Sequence, residues 1–407
     1  MKTIPNFLPS TRGFSFGNGF PAQPDKVLDT PLGKIAIGNA SNGLCGGMVF
    51  AVRDYYEAGI VQPSGAQPSI GQPLYDFIVD RLFASFGLPA IALKYYDWMC
   101  TADHDTLLKT GVSRRTIVDE WPRIKAEIDA NRPCCLGLVT VFSLNPGDLG
   151  QNHQVMAYGY DLDAAQNLTL RLYDPNSPMK DGITLSMNLS RPAASTPISH
   201  NVNIAHPIRG FFVVPYARVA PPQIDDADLL TFVAPQSMAA GSTATVTVQI
   251  RNTGTTTWVP SGANPYRLGS QRPQDSALWG RARVDLPGPV SPQQSVDLAF
   301  PVTAPNVSGA ALCYMGWRMV CEGRQWFGEL ESRTISVTGL VTPPDPCQVI
   351  REQILEDRAE IADFQEQLRQ AVGQGKALLA AQIKRKQAEI AQLKQQAVAQ
   401  GCPPMPG

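Results

Sequence analysis

The sequence predicts an α+β domain, then a stretch of antiparallel β-sheet, then an antiparallel α-helical hairpin. Three observations carry this: helix-period segments precede strand-period ones in the first half, apolar–polar alternation rich in Thr and Val fills the middle, and heptads occupy the end. Two breaks separate the pieces, "PYARVAPPQIDD" from Pro215 to Asp226 and "LVTPPDPC" from Leu340 to Cys347. The expected domains are residues 1–217, 226–338 and 347–402.

A chain of 407 residues exceeds one comfortable core, and its 43% hydrophobic content is that of an ordinary globular protein. The formal net charge of -1 supplies no basic field for nucleic acid or an anionic membrane. No apolar run reaches the roughly 20 residues that span a bilayer. Residues 1–21 lack a continuous apolar core and a small-residue cleavage site, so no Sec signal peptide is expected. That fits a cytoplasmic protein or one exported by a leaderless route. Eight cysteines with only four histidines, and no paired CxxC motifs, predict neither a structural zinc site nor any other cofactor. Four N-x-S/T sequons, at Asn39, Asn167, Asn188 and Asn306, matter only in a eukaryotic secretory pathway.

In the first domain, "PLYDFIVDRLFASFG" and "TIVDEWPRIKAEIDANRP" have helical periodicity, with Pro122 marking a break or first turn in the second. "CCLGLVTVF" reads as a core strand carrying Cys134 and Cys135, and Cys100 beside Trp98 and Met99 reads as packing. In the middle, "ATVTVQIRNTG" and "SVDLAFPVTAP" alternate as strands. Trp258, Trp279, Trp317 and Trp326 are read as core and corner packing. Cys313 and Cys321, on one extended strand, would lie about 26 Å apart, too far for a disulfide.

The tail repeats Ile354, Ile361 and Leu368, then restarts after Gly373–Gly375 with Ile383, Ile390 and Ala397. Folding at that turn brings Cys347 and Cys402 together as a possible disulfide in an oxidising compartment. It also places Asp357 and Lys386 on the seam, where they can face each other. The hairpin is assigned to self-association or docking.

Chemistry concentrates in the first domain. In "NGLCGGMVFAVRDYYEAG", Cys45 opens a helix, where free N–H groups and the macrodipole favour a thiolate, and the adjoining glycines leave room for a substrate backbone. His153 starts the strand "QNHQVMAYGYDL", and Asp174 ends the strand "LTLRLYDPNSP". A hairpin between these strands would set His153 beside Asp174, leaving the other imidazole nitrogen for Cys45: nucleophile, base and orienter. His104 suits a helix N-terminus, and His200 and His206 flank a loop without a motif.

These three motifs, "CGGM", "HQVMAYGY" and "LYDPN", resemble the C39-like branch of the papain-like cysteine peptidases over most of residues 30–216. The resemblance implies Cys45 as nucleophile, His153 as general base and Asp174 as its orienter. The family's oxyanion-hole Gln, six residues before the nucleophile, is Asn39 here, with Asn42 nearer; either amide can donate, alongside the Cys45 backbone N–H. In the middle, "RNTGTTTW", "LWGRARV", "TAPNVSGAALCYMGWRMV" and "WFGE" resemble the NBR1-type, four-tryptophan Ig-like domain, which implies an all-β sandwich for binding or spacing. The expectation is therefore an α+β papain-like domain, an Ig-like β-sandwich and a C-terminal helical hairpin (coiled coil). The implied activity is a peptidase or amidase acting through a thioester on a peptide or protein substrate, with protein partners for the sandwich or hairpin. The same triad serves deamidation, transamidation and thioester cleavage. The alternatives are an inactive papain-like scaffold and a delivered, toxin-like hydrolase.

Overall fold

A computed structural model describes residues 1–20, 43–87, 89–339, 345–371 and 374–405, and the backbone of 26–30 and 33–37. The chain divides into two compact units, Met1–Pro222 and Gln223–Gly407. The first break thus falls within the Pro-rich segment, and the helical hairpin groups with the β-rich segment. The fold is mixed α+β, with largely antiparallel sheets and a C-terminal helical pair.

The first unit opens with β1 (Lys2–Thr3), α1 (Pro9–Arg12) and the hairpin of β2 (Lys26–Thr30) and β3 (Gly33–Ile37). The helices α2 (Cys45–Ala58), α3 (Pro73–Phe86), α4 (Ala90–Met99), α5 (Val112–Arg114) and α6 (Trp121–Asp129) follow. Then come β4 (Cys134–Val139), β5 (His153–Leu162), β6 (Asn167–Tyr173), β7 (Thr184–Asn188), β8 (Ser199–His200) and β9 (Gly210–Val213). All pair antiparallel in the order β8-β7-β6-β5-β4-β9, with β1 also on β5. As the sequence predicts, helices precede an antiparallel sheet.

α2 is the unit's central helix, buried from Cys45 through Tyr55 and ended by Gly59 at φ 68°. Its glycines are poor helix formers, and packing explains them. A Cβ on Gly47 would lie 2.0 Å from the Ile78 carbonyl oxygen of α3, and one on Gly46 would lie 2.2 Å from Ser85 Oγ and 2.8 Å from the Gln154 amide. The space expected for a substrate backbone is therefore filled by α3 and β5. Pro122, expected to mark a break or first turn, occupies the first turn of α6, into which a π-helical turn, Arg115–Glu120, leads directly. Proline lacks the N–H that would continue the ladder, and the wider π turn lies in the residues just before it.

In the second unit, β10 (Ala227–Val233), β12 (Thr243–Asn252) and β15 (Ser295–Thr303) form one sheet. β11 (Ser237–Ala239), β17 (Gln325–Thr338), β16 (Ala310–Cys321), β13 (Tyr266–Gln271) and β14 (Arg283–Asp285) form the other, in that spatial order. Every pair is antiparallel except β11 with β17, which is parallel. Alternate residues of both sheets meet in one core: Val246, Val248 and Ile250 from β12, and Met315, Trp317 and Met319 from β16. Trp258 and Trp317 are fully buried, each removing about 150–250 Å² from water, worth roughly 4–6 kcal/mol. Trp279 is buried and donates Nε1–H to the Tyr314 carbonyl at 2.8 Å. Trp326 is half-buried, with Arg283 5.0 Å above its ring. Cys313 and Cys321 both lie on β16 and are free.

α7 (Pro346–Gln370) and α8 (Gln374–Ala399) pack together, with Ile350, Ile354 and Ala397 as their buried cluster. Asp345 caps α7, accepting from the Cys347 N–H at 2.9 Å. Cys347 and Cys402 form a disulfide, Cα to Cα 5.3 Å. On the seam, Lys386 Nζ lies 2.9 Å from both buried Asp357 and Glu360. No helix among the described residues is long and apolar enough to cross a membrane.

Two stability outcomes follow. Cys402→Ser removes a cross-link spanning 55 residues and should destabilise the helical pair by about 2–4 kcal/mol; an unchanged midpoint for loss of helical circular dichroism would contradict this. Gly47→Ala forces α2 off α3 and should cost about 1–3 kcal/mol in chemical denaturation of the full chain.

Candidate active site

Cys45 is the first residue of α2, His153 the first of β5, and Asp174 the residue after β6. The first helical hydrogen bond of α2 runs from Met48 N–H to the Leu44 carbonyl, so the N–H groups of residues 45–47 have no acceptor within the helix. Strand register does the rest. His153 pairs with Leu138 of β4, and Met156 pairs with Tyr173 of β6, so the β5–β6 pairing carries Asp174 back alongside His153. His153 Nε2 lies 2.8 Å from Asp174 Oδ1. The ring's other nitrogen is left for Cys45, whose side chain hydrogen-bonds the imidazole. The structure thus brings Cys45, His153 and Asp174 together.

All three are buried: Cys45 is 8% exposed, His153 5% and Asp174 0%. Burial opposes a thiolate at Cys45, but the His153 charge and hydrogen bond, with the N–H groups of Gln154 and Gly46, outweigh it and hold the thiol below its ordinary range. Burial also opposes an imidazolium at His153, yet the Cys45 thiolate and the Asp174 carboxylate push its pKa up to about 10. Burial alone would raise Asp174; the His153 hydrogen bond and charge, then the N–H groups of Asn203 and Asn176, bring it below the usual carboxylate range. Those N–H groups sit 3.0 Å from Oδ2 and Oδ1 respectively. Both shifts run in the direction that favours a thiolate–imidazolium pair over the neutral thiol and imidazole.

Asn39 and Asn42, the expected oxyanion donors, lie outside the described residues. The remaining candidates fall elsewhere. His104 sits in the loop between α4 and α5 rather than at a helix start. His200 lies on β8, and His206 is exposed in a loop. Cys134 and Cys135 are buried in β4, where burial pushes Cys134 well up and Cys135 up to about 11, the opposite of an activated thiol. Cys100 donates to the Ser143 carbonyl at 3.4 Å. No group of three or more His, Cys, Asp or Glu among the described residues could hold a metal ion.

Sequence reasoning missed several supports. Gln154 presents its N–H to Cys45 and donates its amide to Ser85 Oγ at 3.2 Å. Tyr95 donates to the His153 carbonyl at 3.2 Å. Asn18 accepts from the Leu44 N–H at 2.7 Å, just before the thiol. Only Gln154, adjacent to His153, had a local signal; the others come from distant segments.

No family model and no curated protein matches this chain. Among solved structures there is a similarity to AvmM, described as catalysing macrocyclization in alchivemycin A biosynthesis, at 14% identity over 29% of this chain and 89% of that one. Its TM-score is 0.17, too low to carry an argument about fold or function.

The pair predicts a pH profile. Because the Cys45 pKa is lowered, its alkylation rate should already be high at about pH 6, where an ordinary thiol near 8.5 is unreactive. Peptide mass mapping should find Cys45 labelled ahead of the other five free cysteines. His153→Ala leaves burial unopposed, so the thiolate should titrate higher and labelling at that pH should fall about tenfold or more. Equal labelling of all six would refute the activated thiol.

Proposed function

We propose that residues 1–222 are a papain-like cysteine hydrolase domain that cleaves peptide or amide bonds through a thioester at Cys45. The observation that carries the reading is the connected, buried set Cys45–His153–Asp174, its thiol lowered and its imidazole raised. The chain order Cys, His, Asp and the motifs around each residue support it as well.

In this mechanism Cys45 Sγ attacks the acyl carbonyl carbon, and the carbonyl electron pair moves onto oxygen. As the tetrahedral adduct collapses, the C–N bond breaks and His153 gives its proton to the leaving amine, which leaves a thioester. Water then adds to the thioester with its proton passing to neutral His153; the C–S bond breaks, and thiolate and imidazolium are restored. Asp174 keeps the ring oriented throughout and holds the imidazolium charge. The free N–H groups at the start of α2 are suited to stabilise developing negative charge near Cys45.

In the same proposal, residues 226–338 are an Ig-like sandwich, supported by two sheets sharing one tryptophan-centred core, and the hairpin is a docking element. The disulfide supports an oxidising destination for the chain. A second reading, an inactive scaffold of the same fold, is favoured by one observation, the 8% exposure of Cys45.

Incubation of the full chain with activated acyl esters and peptide amides distinguishes the two readings. The hydrolase reading predicts an acyl adduct on Cys45 by mass spectrometry and turnover abolished in Cys45→Ala. It also predicts turnover reduced on the order of 10²–10⁴-fold in Asp174→Asn, which keeps the shape but not the charge. Turnover that persists in Cys45→Ala, or an adduct on another residue, rejects it; absence of both adduct and turnover leaves the scaffold.

A further inference from the structure

We infer that Asn18 is a positioning residue that ties the nucleophile's segment to the segment carrying the triad acid, an inference resting on the hydrolase reading above. Its side chain uses both ends. Oδ1 accepts from the Leu44 N–H at 2.7 Å, and Nδ2 donates to Asn176 Oδ1 at 3.1 Å. Its backbone N–H donates to the Pro175 carbonyl, also at 3.1 Å. One residue thereby contacts the position before Cys45 and the two positions after Asp174.

The contacts have mechanical consequences on both sides. Leu44 precedes α2 without a side-chain cap of its own, so Asn18 is what holds the Leu44 N–H at the point where the chain turns into the helix. The turn is tight there: Gly43 has φ 56°, and a Cβ on it would lie 2.4 Å from Asn18 Nδ2. On the other side, Asn176 is doubly bound to Asn203, each amide donating to the other's carbonyl, at 2.9 and 3.0 Å. The N–H groups of these two residues hold Asp174. Asn18 therefore closes a chain of bonds from the nucleophile, through Asn176 and Asp174, to His153. Positioning to within a fraction of an ångström is what a thiolate–imidazolium pair requires.

A merely structural asparagine would alter stability without altering the titration of Cys45. The test is the pH dependence of Cys45 alkylation by a small neutral reagent, measured on the full chain for wild type, Asn18→Ala, Asn176→Ala and the double variant, with folding checked by circular dichroism. Asn176→Ala retains the backbone N–H that holds Asp174 and removes the amide, with its bonds to Asn18 and to the Asn203 carbonyl. Each single variant should move the Cys45 titration upward and slow labelling at about pH 6 roughly tenfold. The double variant should shift the titration by less than the sum of the single ones, because each single variant already breaks the Asn18–Asn176 bond. An unchanged profile in Asn18→Ala, or additive shifts in the double variant, would overturn the inference. If Asn18→Ala does not fold, Asn18→Ser, too short to span both partners, is read in its place: an unshifted profile overturns the inference, and a shifted one upholds it. If wild-type Cys45 itself titrates as an ordinary thiol, the hydrolase reading fails, and this inference fails with it.

Discussion

The first unit is organised around three connected polar side chains, Cys45, His153 and Asp174, held almost out of water. A buried thiolate and imidazolium are each costly alone, and together they persist only where the hydrogen bonds water would have made are replaced by fixed ones. Each partner meets that demand through backbone. Gly46 and Gln154 direct N–H groups at the sulfur, while Asn176 and Asn203 direct theirs at Asp174, which in turn holds His153. Backbone donors cannot move independently of the fold, so the pair and the packing of α2 between α3 and β5 form one problem. That is why two glycines, unfavourable in a helix, directly follow Cys45: a Cβ at either would push away the elements that present the donors.

The second unit solves a different problem. The core shared by its sheets is apolar, centred on Trp258 and Trp317, with Phe300 edge-on to Trp317 at 4.9 Å. Neither of those two indole N–H groups has a partner among the described residues, a cost of about 1–3 kcal/mol each that the buried ring area exceeds. No residue of that shared core carries a charge.

How much of this could be read in advance follows the range of each signal. Alternation in "ATVTVQIRNTG" and the heptads after Cys347 report on immediate neighbours, so β12, β15 and the helical pair were legible. The order Cys45, His153, Asp174 was legible because each residue sits at an element boundary with a recognisable flank. The roles of Gly46 and Gly47 were misread, because the atoms that fill their space belong to Ile78, Ser85 and Gln154, distant in sequence. The π-helical turn before Trp121 and the parallel pairing of β11 with β17 also escaped; three residues of strand carry no directional signal. Asn18 had no pattern at all around it, and its significance exists only in its three contacts.

The helical pair offers a contrast in the use of buried charge. Lys386 lies on the seam, in reach of Asp357, Glu360 and Glu389, with Asp357 nearly inaccessible. Desolvation opposes the ammonium, yet the hydrogen bonds to Glu360 and Asp357 raise its pKa. Apolar residues of similar size would pack this position at lower cost. What they would not do is fix the register: a seam of Ile and Ala permits a slide by a heptad, whereas Lys386 has acidic partners at one alignment only. The disulfide at the open end pins the same alignment covalently. On the hydrolase reading proposed above, by contrast, the paired groups at Cys45 and His153 would be the reactive ones, so an apolar replacement of similar volume there would remove the proposed chemistry outright.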